Sequence, residues 1–401
     1  MILNYKYRLY VNKHSDELSE LVTTANKLWN HVVGLYRRYY KLFKKNPTTV
    51  EMQKHMAKIA KRNKYYSLMG SQSIQEVCQR VDATYKEFFK KKGRGRPTFH
   101  KSKKAGSFCF KGTVGYKLVS DRLTINKLNR TYRFKLTRPY GDIRCIRIKR
   151  DNKGYLWLVV CTDVQPKTYE RQGDACIGMD FGLKHFLTTS NGEIIESPQF
   201  LKQSLKRIKK LNKTLSRKIK DSNGWKYTKK ELSKEHERIS NRRSEWHWSL
   251  VHRLCRENSF IAIEDLNMKA MQKIWGKKVS DLAFTSFVLK LQHVATKYGT
   301  EVVKIGRFES TSQVCHVCGH KWEGTKNLSI REWECPECGE HHDRDVNAAI
   351  NILYIGKGGK GVSLDSSHSK TVKPRGDTAC NVDSQRIPLI KLVGVRQQRT
   401  Y

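Results

Sequence analysis

From Leu18 onward, apolar side chains return at every third or fourth position: Leu18, Leu21, Val22, Ala25, Leu28, Trp29, Val32, Tyr36, Tyr39 and Phe43. This spacing draws one apolar stripe along a helix that begins at Ser15 and is ended by Asn46-Pro47. Ahead of it, residues 2–10 alternate apolar and basic positions and predict a strand. Thr48-x-x-Glu51 and Ser73-x-x-Glu76 have the form of capping boxes, in which hydroxyl and carboxylate each satisfy a backbone N–H of the other. They predict the starts of a second and a third helix. Ile74, Val77, Cys78, Val81, Tyr85 and Phe88 form one face of the third.

From 108 to 163 the period changes from three or four to two. Phe108–Phe110, Tyr116–Val119, Leu123–Ile125, Tyr132–Leu136, Ile143–Lys149 and Tyr155–Cys161 read as six short strands, with Asp151-Asn152-Lys153-Gly154 as a hairpin turn. Short strands with regular turn signals predict a small barrel. After a polar break at 164–174, Ala175–Thr189 reads as an apolar strand interrupted by Gly178, Asp180 and Gly182, and Ser190-Asn191-Gly192 turns the chain into Ile194-Ile195. Two long basic helices follow over 199–258; the first has Leu201, Leu205, Ile208, Leu211, Leu215 and Ile219 on one face. A buried strand at Phe260–Ile263, a helix near 280–298 ended by Gly299, and a strand at Glu301–Ile305 complete an α/β pattern. The glycine-rich stretch from Gly356 opens a basic tail, 356–401, with little pattern and expected to be disordered.

Charge changes this picture most. The chain has 401 residues, with 79 Lys and Arg against 37 Asp and Glu, so the net charge is 79 − 37 = +42. An excess of that size repels itself in a free compact protein and points to a resident polyanion, namely nucleic acid. The run Lys90-Lys91-Lys92-Gly93-Arg94-Gly95-Arg96-Pro97, with Lys101, Lys103 and Lys104, is either a solvated linker or a loop that grips phosphates. Trp225, Tyr227, Trp246 and Trp248 are candidates for base stacking or for core packing. The first residues lack a signal-peptide core and no run approaches about 18 apolar residues. The expectation is a cytoplasmic, nucleoid-associated protein of a bacterial or archaeal cell, with no membrane partner. Seven of the eleven cysteines are scattered as buried free thiols would be, not as a disulfide framework.

The other four are not scattered. Cys315-x-x-Cys318 and Cys335-x-x-Cys338 enclose sixteen residues, and each pair runs into a glycine, Gly319 and Gly339. This is the spacing of a zinc ribbon, in which four thiolates close a tetrahedron around one Zn²⁺. With no position left for water, such an ion is structural. His316, His320, His341 and His342 lie nearby and are not needed as ligands.

In so basic a chain, a carboxylate inside an apolar strand calls for a cation. Three segments qualify: Asp180 within Ile177–Gly182, Glu264 where the buried strand ends, and Asp345 at the start of a helix whose Ala348 and Ala349 permit close packing on a sheet. Converging, they would hold two Mg²⁺ ions, activate water and stabilise the leaving oxygen of a phosphodiester. Asp265 and Asp343 rival Glu264 and Asp345, because spacing does not separate residues one or two positions apart.

These blocks resemble TnpB, the RNA-guided nuclease family of insertion sequences, related to the small type V CRISPR effectors. The resemblance runs from Tyr5-Lys6-Tyr7-Arg8 and Leu28-Trp29-Asn30 through Gly95-Arg96-Pro97, Gly178-Met179-Asp180-Phe181-Gly182 and Ile263-Glu264-Asp265-Leu266-Asn267. It ends with Thr311–Gly319 and Asp343-Arg344-Asp345-Val346-Asn347-Ala348-Ala349. It implies a multidomain α+β fold: a wedge-type β-barrel (1–11 and 108–170) split by a helical recognition lobe (12–107), then a RuvC/RNase H-like nuclease (171–308 and 342–355) interrupted by a zinc ribbon (309–341). It also implies Asp180, Glu264 and Asp345 as the catalytic magnesium ligands. The implied activity is guide-RNA-directed cleavage of double-stranded DNA beside a short flanking motif; the oligomeric state stays open, a monomer bound to guide RNA being the expectation. Three alternatives stand beside it: a non-cleaving RNA-guided regulator, a DDE-type transposase working without RNA, and a CRISPR-encoded effector of the same chemistry.

Overall fold

The computed structural model describes residues 2–90, 95–101, 106–165, 167–266, 273, 276, 281–307, 309–327 and 329–359. Much of the basic loop at 90–104 and nearly all of the tail expected at 356–401 lie outside the described residues. The chain divides into two compact units, the first ending at Gln165.

The first unit runs β1 (Ile2–Arg8), α1 (Ser15–Phe43), α2 (Thr49–Arg62), α3 (Lys64–Lys90), β2 (Gly106–Lys111), β3 (Tyr116–Val119), β4 (Arg122–Ile125), β5 (Arg130–Arg133), β6 (Asp142–Arg150) and β7 (Leu156–Asp163). The stripe of α1 is buried from Leu18 to Tyr36, where the Tyr36 ring stacks on Tyr85 at 3.7 Å between centroids. Past that point it emerges, and Phe43 is 58% exposed. The box at α2 forms as expected: Glu51 N donates to Thr48 Oγ1 at 3.2 Å and Thr48 N to Glu51 Oε2 at 2.7 Å.

The box expected at Ser73 does not form. The third helix starts at Lys64, capped by Asn63, whose Oδ1 accepts from Tyr65 N and Tyr66 N. Gly70, at φ 75°, kinks the helix ahead of Ser73. Ser73 itself is buried, its hydroxyl without a hydrogen-bond partner.

All six expected strands are present. β1-β7-β6-β2 make a four-stranded antiparallel sheet and β3-β4-β5 a three-stranded one. One bridge, Leu9 with Phe134, joins the two ladders, so the expected barrel is two sheets and not a single continuous ladder. β3, β4 and β5 have four residues each and, apart from that bridge, pair among the described residues with one another. The turn at 151–154 forms around Asp151, whose carboxylate accepts from Lys153 N, Tyr155 N and Trp157 Nε1.

The second unit runs β8 (Ala175–Asp180), β9 (Leu187–Thr189), β10 (Ile194–Ile195), α4 (Phe200–Ser216), α5 (Asn223–Glu257), β11 (Asn258–Glu264), α6 (Phe284–Tyr298), β12 (Glu301–Ile305), β13 (Glu332–Glu334), β14 (His341–Asp343) and α7 (Arg344–Gly356). Ala175–Thr189 is thus two strands, antiparallel through Asp180 and Thr188. Ile219 lies beyond α4 and is 82% exposed.

Five strands form one sheet in the order β10-β9-β8-β11-β12, with β8, β11 and β12 parallel. Alternation along β11 serves both faces. Ile261 and Ile263 meet Leu250, Val251 and Leu254 of α5 and Phe287 and Leu291 of α6. Phe260 and Ala262 meet Ile352 of α7 on the opposite face. Among the described residues no helix is long and apolar enough to cross a membrane.

Candidate active site and metal centre

Helix α7 decides what the second face of the sheet can hold. Ala348 and Ala349 are buried, and opposite them β8 has Gly178, where an added Cβ would overlap the Ala349 carbonyl oxygen. A glycine and two alanines therefore bring helix and strand into backbone contact. On β8 the residues of Gly178's face continue to Asp180, and on β11 those of Ala262's face continue to Glu264. The parallel register sets Ala262 against Gly178 and Ile263 against Met179. One step further, Glu264 and Asp180 end neighbouring strands on the face that α7 covers, and Asp345 sits in the first turn of α7.

Asp180 feels all of this. Burial, then the charges of Glu264 and Asp345, raise its pKa to about 8, opposed by Arg344. Burial also raises Glu264, against a 2.6 Å hydrogen bond donated by Thr311 Oγ1 to its Oε1. Arg344 keeps Nε and Nη1 buried without a hydrogen-bond partner. Asp345 is engaged by Arg331, whose Nη1 is 3.2 and 3.1 Å from the two carboxylate oxygens. Among the described residues, the set of three or more donor atoms lying within 4.8 Å of one another is the cysteine cluster. The acids share a field without being drawn into one tight cage.

The rival acids have other work. Asp265 pairs with Arg307 at 2.7 Å. Asp343 caps α7, its Oδ1 accepting from Asp345 N at 2.9 Å and Val346 N at 2.8 Å.

The four-cysteine centre is built from two matching knuckles. Cys315 N donates to His320 O and Gly319 N to Cys315 O; Cys335 N donates to Glu340 O and Gly339 N to Cys335 O. Gly319 and Gly339 take φ of 79° and 71°, in the left-handed region that favours glycine. The four Sγ atoms lie within 4.8 Å of one another, with Cys315 to Cys338 at 3.7 Å and Cys318 to Cys335 at 3.5 Å. A tetrahedral Zn²⁺ with bonds of about 2.3 Å needs sulfur separations of about 3.8 Å, so the donor set fits. His342 Nε2, 3.1 Å from Cys315 Sγ, stands where an outer hydrogen bond to a ligand belongs. The hairpin β13–β14 and the stacked rings of Trp322 and Trp333, 5.2 Å apart, supply the small core around it.

Two asparagines join the centre to the acids. On α7, Asn347 Nδ2 donates to Val314 O, and its Oδ1 accepts from His316 N at 3.0 Å. One turn later Asn351 Nδ2 donates to the carbonyls of Thr311 and Val314. The segment 311–316 is thus pinned to the helix that carries Asp345, and Thr311 is held against Glu264. Sequence reasoning assigned no role to Thr311, Arg331, Asn347 or Asn351. The legible signal was Asn347 and Asn351 at i and i+4 on a helix that is otherwise apolar beyond its first turn. Among the aromatic candidates, Tyr227 is 68% exposed, whereas Trp246 and Trp248 pack against the core of the sheet.

Two stretches match known families: residues 159–275 the OrfB_IS605 family, "Probable transposase", and residues 284–352 the "Cas12f1-like, TNB domain". A "Putative RNA-guided DNA endonuclease" of Streptomyces pristinaespiralis is 28% identical over 360 residues, covering 88% of this chain and 89% of that protein. The "Putative RNA-guided DNA endonuclease InsQ" of Escherichia coli (strain K12) is 26% identical, covering 71% and 74%. The chain solved in the "Cryo-EM structure of the Cas12f1-sgRNA-target DNA complex" superposes with a TM-score of 0.56 at 14% identity, over 86% of this chain and 83% of that one, and so shares its α+β fold. The resemblance to the TnpB family is therefore carried by family matches, relatives and fold alike.

Proposed function

Starting from this similarity to TnpB and its relatives, we propose that the chain is an RNA-guided endonuclease that hydrolyses double-stranded DNA beside a short flanking motif. The observation that carries the proposal is the convergence of Asp180, Glu264 and Asp345, from three distant segments, on one sheet face under the N-terminus of α7. The order β10-β9-β8-β11-β12 supports reading residues 171–308 and 342–355 as a RuvC/RNase H-like nuclease, with 309–341 as its zinc ribbon. Residues 12–107 are proposed as the helical recognition lobe, and 1–11 with 108–170 as the wedge.

The residues present suit Mg²⁺: hard carboxylate oxygens, one of them held from ionising by burial and by its acidic neighbours until a cation would compensate. Bound there, two Mg²⁺ ions would supply an activated water and neutralise charge on the leaving oxygen. The chain's own part is placement. Asp180 is fixed by the strand, Glu264 is aimed by Thr311, and Asp345 is carried on α7, which the asparagines lock to the ribbon. Zn²⁺, held by Cys315, Cys318, Cys335 and Cys338, would close the ribbon and take no part in the chemistry. The charge of +42 suits a guide RNA paired with its DNA target.

The test is to purify the protein with the RNA that accompanies it, sequence that RNA, and offer a plasmid containing its target next to a randomised flank. Mg²⁺-dependent cutting is expected, abolished by Asp180→Ala with RNA and DNA binding retained. Binding without cutting by the unaltered protein would favour a regulator, and joining of DNA ends without RNA would favour a transposase.

A further inference from the structure

Three thiols stand side by side on the four-stranded sheet of the first unit, remote in sequence from the zinc ribbon. In the β6–β7 ladder Cys145 is directly opposite Cys161. In the β2–β6 ladder Cys145 is opposite Lys111 and Cys109 opposite Arg147, so Cys109 is the diagonal neighbour. The thiol of Cys145 is within hydrogen-bonding reach of both. Cys145 and Cys161 are partly exposed and Cys109 is buried; all three are free. They do not surround one point, since among the described residues the ribbon cysteines form the donor set within 4.8 Å. A row of three sulfurs offers thiol–disulfide chemistry and not a metal cage.

From this geometry we propose that Cys145 and Cys161 form a reversible cross-strand redox site, with Cys145 the thiol that reacts with hydrogen peroxide and Cys161 the thiol that resolves it. Directly opposite strand residues have Cβ atoms about 4.5–5.5 Å apart, close to what a disulfide spans, whereas diagonal neighbours are about 7–8 Å apart. The thiols of Cys109 and Cys161 are both close to Cys145, but Cys161 is directly opposite it on the neighbouring strand and partly exposed, whereas Cys109 is diagonal and buried, and this selects Cys161 as the partner. The environment suits the division of labour. Hydrogen bonds from Cys109 and Cys161, with Arg147 nearby, hold the Cys145 thiol down to about 6, whereas burial and the Cys145 charge push Cys161 up to about 11.

In the first step the Cys145 thiolate attacks one peroxide oxygen; the O–O bond breaks, an S–O bond forms, and the other oxygen leaves as water after taking a proton. In the second, the Cys161 sulfur attacks the sulfenic sulfur; the S–S bond forms, the S–O bond breaks, and the hydroxyl leaves as water with the thiol proton. Two thiols lose two electrons to one peroxide and two waters result. The cross-link lies within a single hairpin, so the sheet keeps its register.

The experiment treats the zinc-loaded full chain, with its copurifying RNA, with hydrogen peroxide, then alkylates, digests with trypsin and maps the peptides by mass spectrometry. The expected product joins the peptide of Cys145 to that of Cys161 and disappears with dithiothreitol. Cys145→Ser should lose it completely; Cys161→Ser should leave a dimedone-reactive sulfenic acid on Cys145; Cys109→Ser should retain the cross-link. An unmodified Cys145 in the unaltered protein, or a cross-link to Cys109, overturns the assignment. DNA cleavage does not enter the readout, so failure here and failure of the nuclease reading are distinguishable.

Discussion

The guanidinium of Arg331 lies 3.1 Å from a carboxylate oxygen of Asp345, so a residue from the segment that contains the four cysteines holds the acid at the start of α7. The backbone strengthens the connection, Arg344 N donating to Arg331 O at 2.7 Å. On the proposed reading, a positive group on Asp345, one of the two acids whose charges raise Asp180, takes a place that a cation would fill. Arg331→Ala should therefore lower the melting temperature of the metal-free protein and enlarge the rise produced by Mg²⁺. Differential scanning calorimetry at matched ionic strength checks both; an unchanged Mg²⁺ increment would mean that the pair does not compete with metal.

On the proposed reading, Asp180 should make Mg²⁺ binding depend on pH. Its folded pKa of about 8 is far above the unfolded value of about 3.9. The folded state therefore keeps a proton that the unfolded state gives up. The stability tied to the neutral carboxyl is complete below about 4 and is lost as pH rises through 8. A bound cation offsets that loss. The melting-temperature increase due to Mg²⁺ should grow from pH 6 to pH 8.5 in the native chain and stay flat in Asp180→Asn.

Thr311 donates the one hydrogen bond seen on Glu264 among the described residues. Thr311→Val keeps the volume and removes the donor, at a cost to stability of about 1–3 kcal/mol for a buried pair. Cleavage should slow by about tenfold or more, if roughly 1.4 kcal/mol of positioning is lost, while RNA binding is untouched. Thr311→Ser should restore most of the rate. Parallel loss of binding and cutting would argue for a general folding defect instead.

Asn351 serves two carbonyls at once, those of Thr311 and Val314. In Asn351→Ala the Thr311 carbonyl loses this donor while Val314 keeps that of Asn347, and about 1–3 kcal/mol of stability should go with the change. Limited proteolysis should then cut within 309–341 sooner than in the native chain, whereas sites in the first unit keep their rate.

Chelating the zinc, or replacing Cys335 by Ser, should open the ribbon and also stop DNA cleavage. The cysteines touch none of the acids; the link is mechanical, through the asparagines and Thr311. Zinc release followed with a chromogenic chelator should precede loss of cutting. Persistent full-rate cleavage by zinc-free protein would sever that link.

Sequence alone determined what depends on neighbours a few residues apart. The two knuckles were legible because a Cys-x-x-Cys-Gly turn is local: its hydrogen bonds close within five residues, and Gly319 and Gly339 supply the φ they require. The capping box at Thr48 and the buried strand at Phe260–Ile263 were legible for the same reason. The tertiary structure decided whatever depends on which distant segment arrives. Strand register and the approach of α7 over Gly178 put Glu264 on the acid face, while Asp265 pairs with Arg307. The same packing turned Asp343 into a cap, left Ser73 inside a kinked helix, and set Arg331 and Thr311 beside carboxylates far from them in the chain. A local pattern specifies a turn or a face, but a long-range contact is chosen by how whole elements pack, and no short stretch of sequence contains that choice.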